Sequence, residues 1–549
     1  MLNNMIEVKI GDKKMKVMEG TIVKNCLNDN NNEILAVKVN NSIHSVYYKL
    51  VGTEGSVIEP ITFYSDDGKR IYVRTLKFIF LIACNNLGLG ILDKIEFANK
   101  IQNKQFIRFN YKVKREEIEK IRLEMWKIIK SNYIISKHKL PFEGARKIYE
   151  NMGSLHQLDN FRIKTRDSYT FYECDNYYNY LYGILAPRTG YIKNFGIQAY
   201  KDGVILSLPN DDNIWNIDTS EMPSNVMESF SEFREFEKNI GINSVSDLNM
   251  NVLGDTVSNV IRYAEMNHSK KIIDILRMIS DDDSIRVIFV AGPSSSGKTT
   301  FSQKLEDGLK IVGKRAIHIS MDNYFKDLEN IPVFNGEKDY ESIENLELKL
   351  LADNLKDLLN GNSVIIPEYN FKESRKEYKK NNVMYMTRDD ILIVEGIHAL
   401  NPKIHALLPT KSFKIYLAPL VTLSLDHFTK VSSNDTRLIR RIVRDADIRG
   451  VNPEKTLENW KKVLKAEKEN IFPYINLADV IFNTSLVYEL GVLKQFCEKL
   501  ILKIPETSPY YSDARRLYDL LRNFLTIETT DIPKNSIIKE FIGNGCFDR

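Results

Sequence analysis

Five cysteines in 549 residues (Cys26, Cys84, Cys174, Cys497, Cys546) are too few and too far apart for a disulfide framework, and no C-x-x-C pair suggests a zinc ribbon. H-x-x-x-H is also absent, and His138 and His156 stand alone, so a histidine-ligated zinc centre is not expected. Long apolar runs are missing. The longest, Phe78 to Cys84, is far too short to cross a bilayer and ends at Asn85-Asn86. The opening Met1-Leu-Asn-Asn is not a signal peptide, so a reducing cytoplasm and no membrane contact are expected. A strong charge bias is lacking too: net charge is +4, which does not by itself announce nucleic-acid binding. No internal repeat or low-complexity linker is found. What remains is a globular composition, 43% apolar, long enough for several domains.

One stretch stands out. Val287-Ile-Phe-Val-Ala reads as a buried strand, and Gly292-Pro293-Ser294-Ser295-Ser296-Gly297-Lys298-Thr299-Thr300 fits G-x-x-x-x-G-K-[ST] at every fixed position. Phe301, Leu305, Leu309 and Val312 then recur at helical spacing up to Gly313. Backbone N–H groups of such a turn, with a helix N-terminus behind them, form an anion cradle. The pattern predicts a nucleoside triphosphate on residues 292–300, Lys298 on the outer phosphates and the Thr299 hydroxyl on Mg²⁺.

Three further elements fit that cradle. Arg315 to Ser320 reads as a second strand, which puts Asp322 at a carboxyl end, where ligands of parallel sheets bind. A carboxylate there can take a hydroxyl proton and approach Mg²⁺. Asp390 to Val394 reads as another buried strand ending in Glu395, a metal-facing acid that acts directly or through water. Arg437, Arg440, Arg441 and Arg444 share one helical face, and the absence of Lys among them favours forked phosphate recognition. Not all four can point at the ligand, and Arg437 and Arg440 are expected to be structural.

The front half reads differently. Ile6–Ile10 and Met15–Met18 form a hairpin around Gly11-Asp12, and Ile34–Val39 is a strand ending at the turn dipeptide Asn40-Asn41. With Gly20-Thr21, this resembles the TGS domain of threonyl-tRNA synthetases, a small β-grasp module. Asp67-Gly68-Lys-Arg-Ile71-Tyr72-Val-Arg74-Thr75-Leu76 resembles the entry to the second additional domain of those enzymes. In that domain editing uses H-x-x-x-H and C-x-x-x-H patterns; here Tyr178 follows Cys174 at the spacing where His would stand, so the editing chemistry is expected to be absent. The aromatic stretch from Tyr169 to Tyr182 is expected to be core rather than a base-stacking platform.

Residues 286–494 resemble the uridine kinase branch of the phosphoribulokinase/uridine kinase family, through the glycine-rich loop, Asp322-Asn-Tyr-Phe325, Pro367-Glu-Tyr369-Asn-Phe371, Glu395-Gly396, the arginine run and Ala478-Asp479-Val480-Ile481. The resemblance implies a general base at Asp322, a ribose-holding carboxylate at Asp339 and aromatic walls of a base pocket at Tyr369 and Phe371. It also implies an arginine lid in which Arg441 meets substrate, Arg444 the transferring phosphate and Arg449 the nucleotide. Two positions depart from the pattern: no His follows the Tyr-x-Phe motif, where it would read a pyrimidine, and Val451 stands where an Arg often follows the lid.

The expected architecture is α/β: a TGS-like β-grasp domain (1–64), an α+β synthetase-editing-like domain (65–223), a helical connector (224–283), a parallel-sheet P-loop kinase domain (284–504) and a helical tail (505–549). The expected activity is ATP- and Mg²⁺-dependent phosphorylation of a nucleoside, uridine first. A sugar-phosphate kinase and an RNA-linked ATP-binding regulator contacting tRNA or ribosomes through the front half are the alternatives, and a homo-oligomer is the expected assembly.

Overall fold

The computed structural model describes residues 5–547 apart from 28, 30–31, 90–94, 153–157, 159–160, 332, 335–336, 339–341, 371–372, 380, 409 and 427. Asp339 and Phe371 therefore lie outside the described residues.

Met5–Ile10 and Lys13–Met18 pair as a hairpin. Ala36–Val39 turns back on Ser42–His44 through Asn40 and Asn41, at φ 48° and 65°. Positive φ at both central residues is what a two-residue hairpin turn requires. Val57–Ile61 joins the two hairpins, parallel to one and antiparallel to the other, giving a five-stranded sheet.

Helix α1 (Asp66–Asn86) follows, with the Ser65 hydroxyl accepting from the Gly68 N–H at 3.1 Å as an N-cap. The apolar run Phe78–Cys84 is its second half, and every residue of the run is fully buried. These residues share a core with strands Ile95–Ile101, Lys104–Phe109 and Gly203–Ser207 and with the aromatic strands Ser168–Cys174 and Tyr177–Tyr180. Enclosure on all sides removes the 3.6-residue pattern that marks a surface helix. The aromatic stretch is packed core: Tyr169, Phe171, Tyr172 and Tyr177 are buried, and Phe171 stacks on Tyr178 at 5.3 Å.

The second half is built on five parallel strands: β1 (Val287–Ala291), β2 (Ala316–Ser320), β3 (Ile391–Glu395), β4 (Ser412–Ala418) and β5 (Val480–Asn483), in the order β2-β3-β1-β4-β5. All of β1 and β3 is buried, which explains their unbroken apolar sequences. Helices Val245–Leu253 and Val257–Ser280, together with Leu517, Leu520, Leu521 and Ile537 of the C-terminal stretch, belong to the same core as Ile288, Ile415 and Phe482 of the sheet. The segment before the sheet and the tail after it are thus packed onto the sheet rather than appended to it. Ile101, Phe106 and Ile205 of the front half share another core with Val287 and Phe289, and Lys430 pairs with Glu96 at 2.8 Å. Among the described residues no helix is long and apolar enough to cross a membrane.

Candidate active site

The carboxyl edge of the sheet carries the chemistry. After β1 the chain bends through Gly292, where a Cβ would come within 2.5 Å of the Leu417 carbonyl oxygen. Ser295 adopts φ +59° and Gly297 φ +89°, and helix α2 (Lys298–Ile311) starts immediately afterwards. Left-handed residues within a turn aim successive N–H groups into one concavity. The buried hydroxyls of Ser295 and Ser296 have no hydrogen-bond partner among the described residues. Thr299 is half-buried on the first turn of α2, and the Lys298 ammonium folds back to donate to the Pro293 carbonyl at 3.3 Å. Orphaned hydroxyls, a helix N-terminus and a lysine ammonium in the same turn suit a polyphosphate.

Asp322 lies in the 3-10 turn Met321–Tyr324 directly after β2. Burial raises its carboxyl above the ordinary range, opposed by the positive charges of Lys298, Arg449 and Arg444. Glu395 ends β3, nearly buried, with one carboxylate oxygen lacking any partner among the described residues. Burial pushes it up to about 7; Lys298 and a hydrogen bond from Ser320 oppose this, while Asp322 and Glu540 reinforce it. A buried, half-satisfied carboxylate beside a second one fits a divalent cation, which would restore the charged form.

Helix α3 (Ser433–Ile448) holds the arginine run, and its two pairs do different work. Arg437 and Arg440 are buried. Arg437 donates to the Ser294 carbonyl at 2.9 Å and pairs with Glu467 of α4 (Pro453–Asn470), which also accepts from the Ser294 N–H at 3.2 Å. Arg440 pairs with Glu489 at 2.6 Å and donates to the carbonyls of Ser295 and Thr484. These two brace the loop from behind. Arg441 and Arg444 are only partly covered, and a single buried carboxylate, Asp445, holds Arg441 at 3.2 Å, Arg444 at 3.1 Å and Arg449 at 3.4 Å. Arg441 also reaches the Ser294 hydroxyl at 3.1 Å. Asp445 therefore fans three guanidiniums over the mouth of the loop. It was not singled out in the sequence, where one Asp among arginines reads as an ordinary i,i+4 pair.

Glu540, from the C-terminal tail, is the other unexpected member. Its carboxylate accepts from the Thr300 N–H at 3.1 Å, and Ile537 packs where a Cβ on Gly297 would stand. An anion thus already sits at the N-terminus of α2. Phosphates compete with it there, so Glu540→Gln is expected to tighten ATP binding about 2–5-fold, from roughly 0.3–1 kcal/mol of helix-terminus interaction. Calorimetric titration checks this; weaker binding would show that the carboxylate belongs to the nucleotide site instead.

On the acceptor side, Tyr369 donates its backbone N–H to the Asn323 side-chain oxygen (3.2 Å) and its hydroxyl to the Lys326 carbonyl (3.3 Å), and meets Phe325 edge-on at 5.8 Å. It is therefore placed on the segment that follows Asp322. Residues 287–488 match the Phosphoribulokinase / Uridine kinase family. Over 197 residues the chain is 30% identical to a uridine kinase of Staphylococcus haemolyticus, covering 36% of this chain and 86% of that protein. The chain belongs to this family. A uridine kinase of Schizosaccharomyces pombe is 32% identical over 34% of this chain and 37% of its own length. Uridine-cytidine kinase C of Dictyostelium discoideum is 30% identical over 36% of this chain and 38% of its own length. Membership explains the constellation: a P-loop kinase domain, using ATP, occupies the second half of the chain, and Lys298, Asp322, Glu395 and the Asp445-held arginines converge at its sheet edge.

Proposed function

We propose that this chain is an ATP-dependent nucleoside kinase that moves the γ-phosphoryl group to the 5′-hydroxyl of a nucleoside, with uridine the first candidate acceptor. The observation that carries the reading is the setting of Asp322: a carboxylate able to take a proton, within electrostatic reach of Lys298, Arg444 and Arg449. The names of the relatives favour uridine over other acceptors.

The loop 292–300 binds the triphosphate of ATP through its N–H groups, and Lys298 swings from the Pro293 carbonyl to the outer phosphates. Thr299, Glu395 and Asp322 would hold Mg²⁺, which when bound would supply charge neutralisation of the phosphate oxygens. Arg441 and Arg444 cover the transferring group, Arg449 reaches the nucleotide, and Asp445 keeps all three in register. Asp322 orients the acceptor hydroxyl and receives its proton as the oxygen bonds to phosphorus and the bond to ADP breaks. Tyr369 forms one side of the base pocket, and the family resemblance assigns Phe371 to the same pocket and Asp339 to the ribose. The front half, TGS-like and second-additional-domain-like, acts as a non-catalytic recognition or regulatory part.

Purified protein with labelled ATP and Mg²⁺ is expected to phosphorylate uridine in a screen against cytidine, purine nucleosides and sugar phosphates. Lys298→Ala is expected to lower the rate about 10²–10³-fold, the loss typical of one charge-stabilising donor. Transfer to a sugar phosphate alone would move the acceptor. No transfer at all, with steeply salt-dependent tRNA binding, would replace the kinase by an RNA-linked regulator.

A further inference from the structure

Between the front half and the kinase sheet lies a cavity of about 980 Å³. Helix α1 turns one face to it, carrying Arg70, Arg74 and Lys77 at i, i+4 and i+7, and Lys100 faces them from strand Ile95–Ile101. Arg70 is paired, with Asp67 at 3.1 Å and Asp513 at 3.3 Å. Arg74, Lys77 and Lys100 form no ion pair among the described residues. Arg74 gives an N–H to the Ile184 carbonyl at 2.6 Å, and the Lys77 ammonium sits 5.0 Å from the centre of the Phe97 ring.

Of the acids that line the cavity, Asp66, Asp211, Asp218 and Asp435 pair with other cations, and Asp212 is exposed with no ion pair among the described residues. Asp426, whose negative charge opposes the burial of Lys77 without forming an ion pair, accepts from the Phe428 N–H at 2.8 Å and keeps one buried oxygen without a hydrogen-bond partner among the described residues. Asp211, whose field reaches Lys100, is held by Lys69 and Lys468. Burial pushes Lys77 down to about 7 and Lys100 down to about 8, with neighbouring cations adding to both. Lys100 is exposed, and it lines the cavity.

Uncompensated cations inside a protein are costly unless an anion joins them. A guanidinium fork beside two ammoniums is phosphate-binding chemistry. Leu425, Phe428, Leu457 and Trp460 supply apolar wall for an organic portion, and the volume is that of a small-ligand site. We propose that this cavity is a second, non-catalytic site that binds a small phosphorylated organic anion, and that its occupancy is felt at the phosphate loop. Lys298, Asp322, Glu395, Arg441 and Arg444 do not line it, but Pro293 and Arg437 do, and Arg437 holds the Ser294 carbonyl.

Magnesium-free inorganic pyrophosphate is the probe, used on the full chain by equilibrium dialysis. Wild type is expected to bind two equivalents, Lys298→Ala to keep the cavity equivalent with its loop site weakened at least about tenfold, and Lys77→Gln/Lys100→Gln to keep only the loop equivalent. In melting experiments pyrophosphate should stabilise wild type and Lys298→Ala. Without the probe, Lys77→Met/Lys100→Met should melt no lower than wild type, because it removes the uncompensated charges. Binding of a single equivalent by wild type, or loss of all binding and all thermal shift in Lys298→Ala, overturns the proposal even if the lysine variants fail to fold. Two equivalents in Lys77→Gln/Lys100→Gln overturns it as well.

Discussion

Asp322→Asn is expected to lower single-turnover phosphoryl transfer about 10²–10⁴-fold, the usual contribution of a positioned general base. The substitution keeps shape and hydrogen-bonding reach but removes the proton acceptor. Its effect on ATP binding has the opposite sign from a loss. Asp322 is an anion set near Lys298, Arg444 and Arg449. Neutralising it removes a negative charge from a site built to receive phosphates, so ATP affinity should stay within a few-fold of wild type or rise. The same change removes one of the charges that push Glu395 up. Rapid-quench transfer and nucleotide titration on the same preparation separate the two effects. A rate within tenfold of wild type would take the base assignment away from Asp322. A joint collapse of rate and affinity would make it chiefly a metal or fold residue.

The parts of this site legible in the sequence are those set by local rules. The spacing from Gly292 to Thr299 is set by one turn and one helix start, and Asp322 and Glu395 follow apolar strands whose ends can be read directly. The arginine run was legible as a helical face, and the structure divides it by depth. Arg437 and Arg440, a turn earlier than Arg441 and Arg444, reach behind the loop and are buried. What could not be read are contacts between distant segments. Glu467 meets Ser294 across 173 residues and Glu540 meets Thr300 across 240. No periodicity encodes such a meeting. In the front half, the burial of Phe78–Cys84 on every side hid a 21-residue helix whose second half showed only a short apolar run. The cavity-facing cations on α1 were invisible for the same reason: their spacing gains meaning only once the helix is known.

The largest stability effect is expected at the buried pair behind the loop. Arg440 is fully buried, and Glu489 at 2.6 Å is the carboxylate that balances its charge, itself receiving the Ser485 hydroxyl and the Leu486 N–H at 3.2 Å. Glu489→Ala leaves a guanidinium with no counter-charge in a site closed to water, and is expected to cost about 3–5 kcal/mol. Replacing both residues, as Arg440→Met/Glu489→Met, removes the charge problem but strips the Ser295 and Thr484 carbonyls of a donor, about 1–3 kcal/mol for each buried group left unsatisfied. With the Ser485 hydroxyl and the Leu486 N–H also losing their acceptor, the double variant should be at least as destabilised as Glu489→Ala. Urea unfolding followed by a kinase-domain probe measures both. Because Arg440 holds the loop through Ser295, the double variant should also bind ATP more weakly than its remaining stability alone implies. A Glu489→Ala cost below about 1 kcal/mol would mean that Arg440 finds another carboxylate or water, and the bracing role would then rest on Arg437 and Glu467 alone.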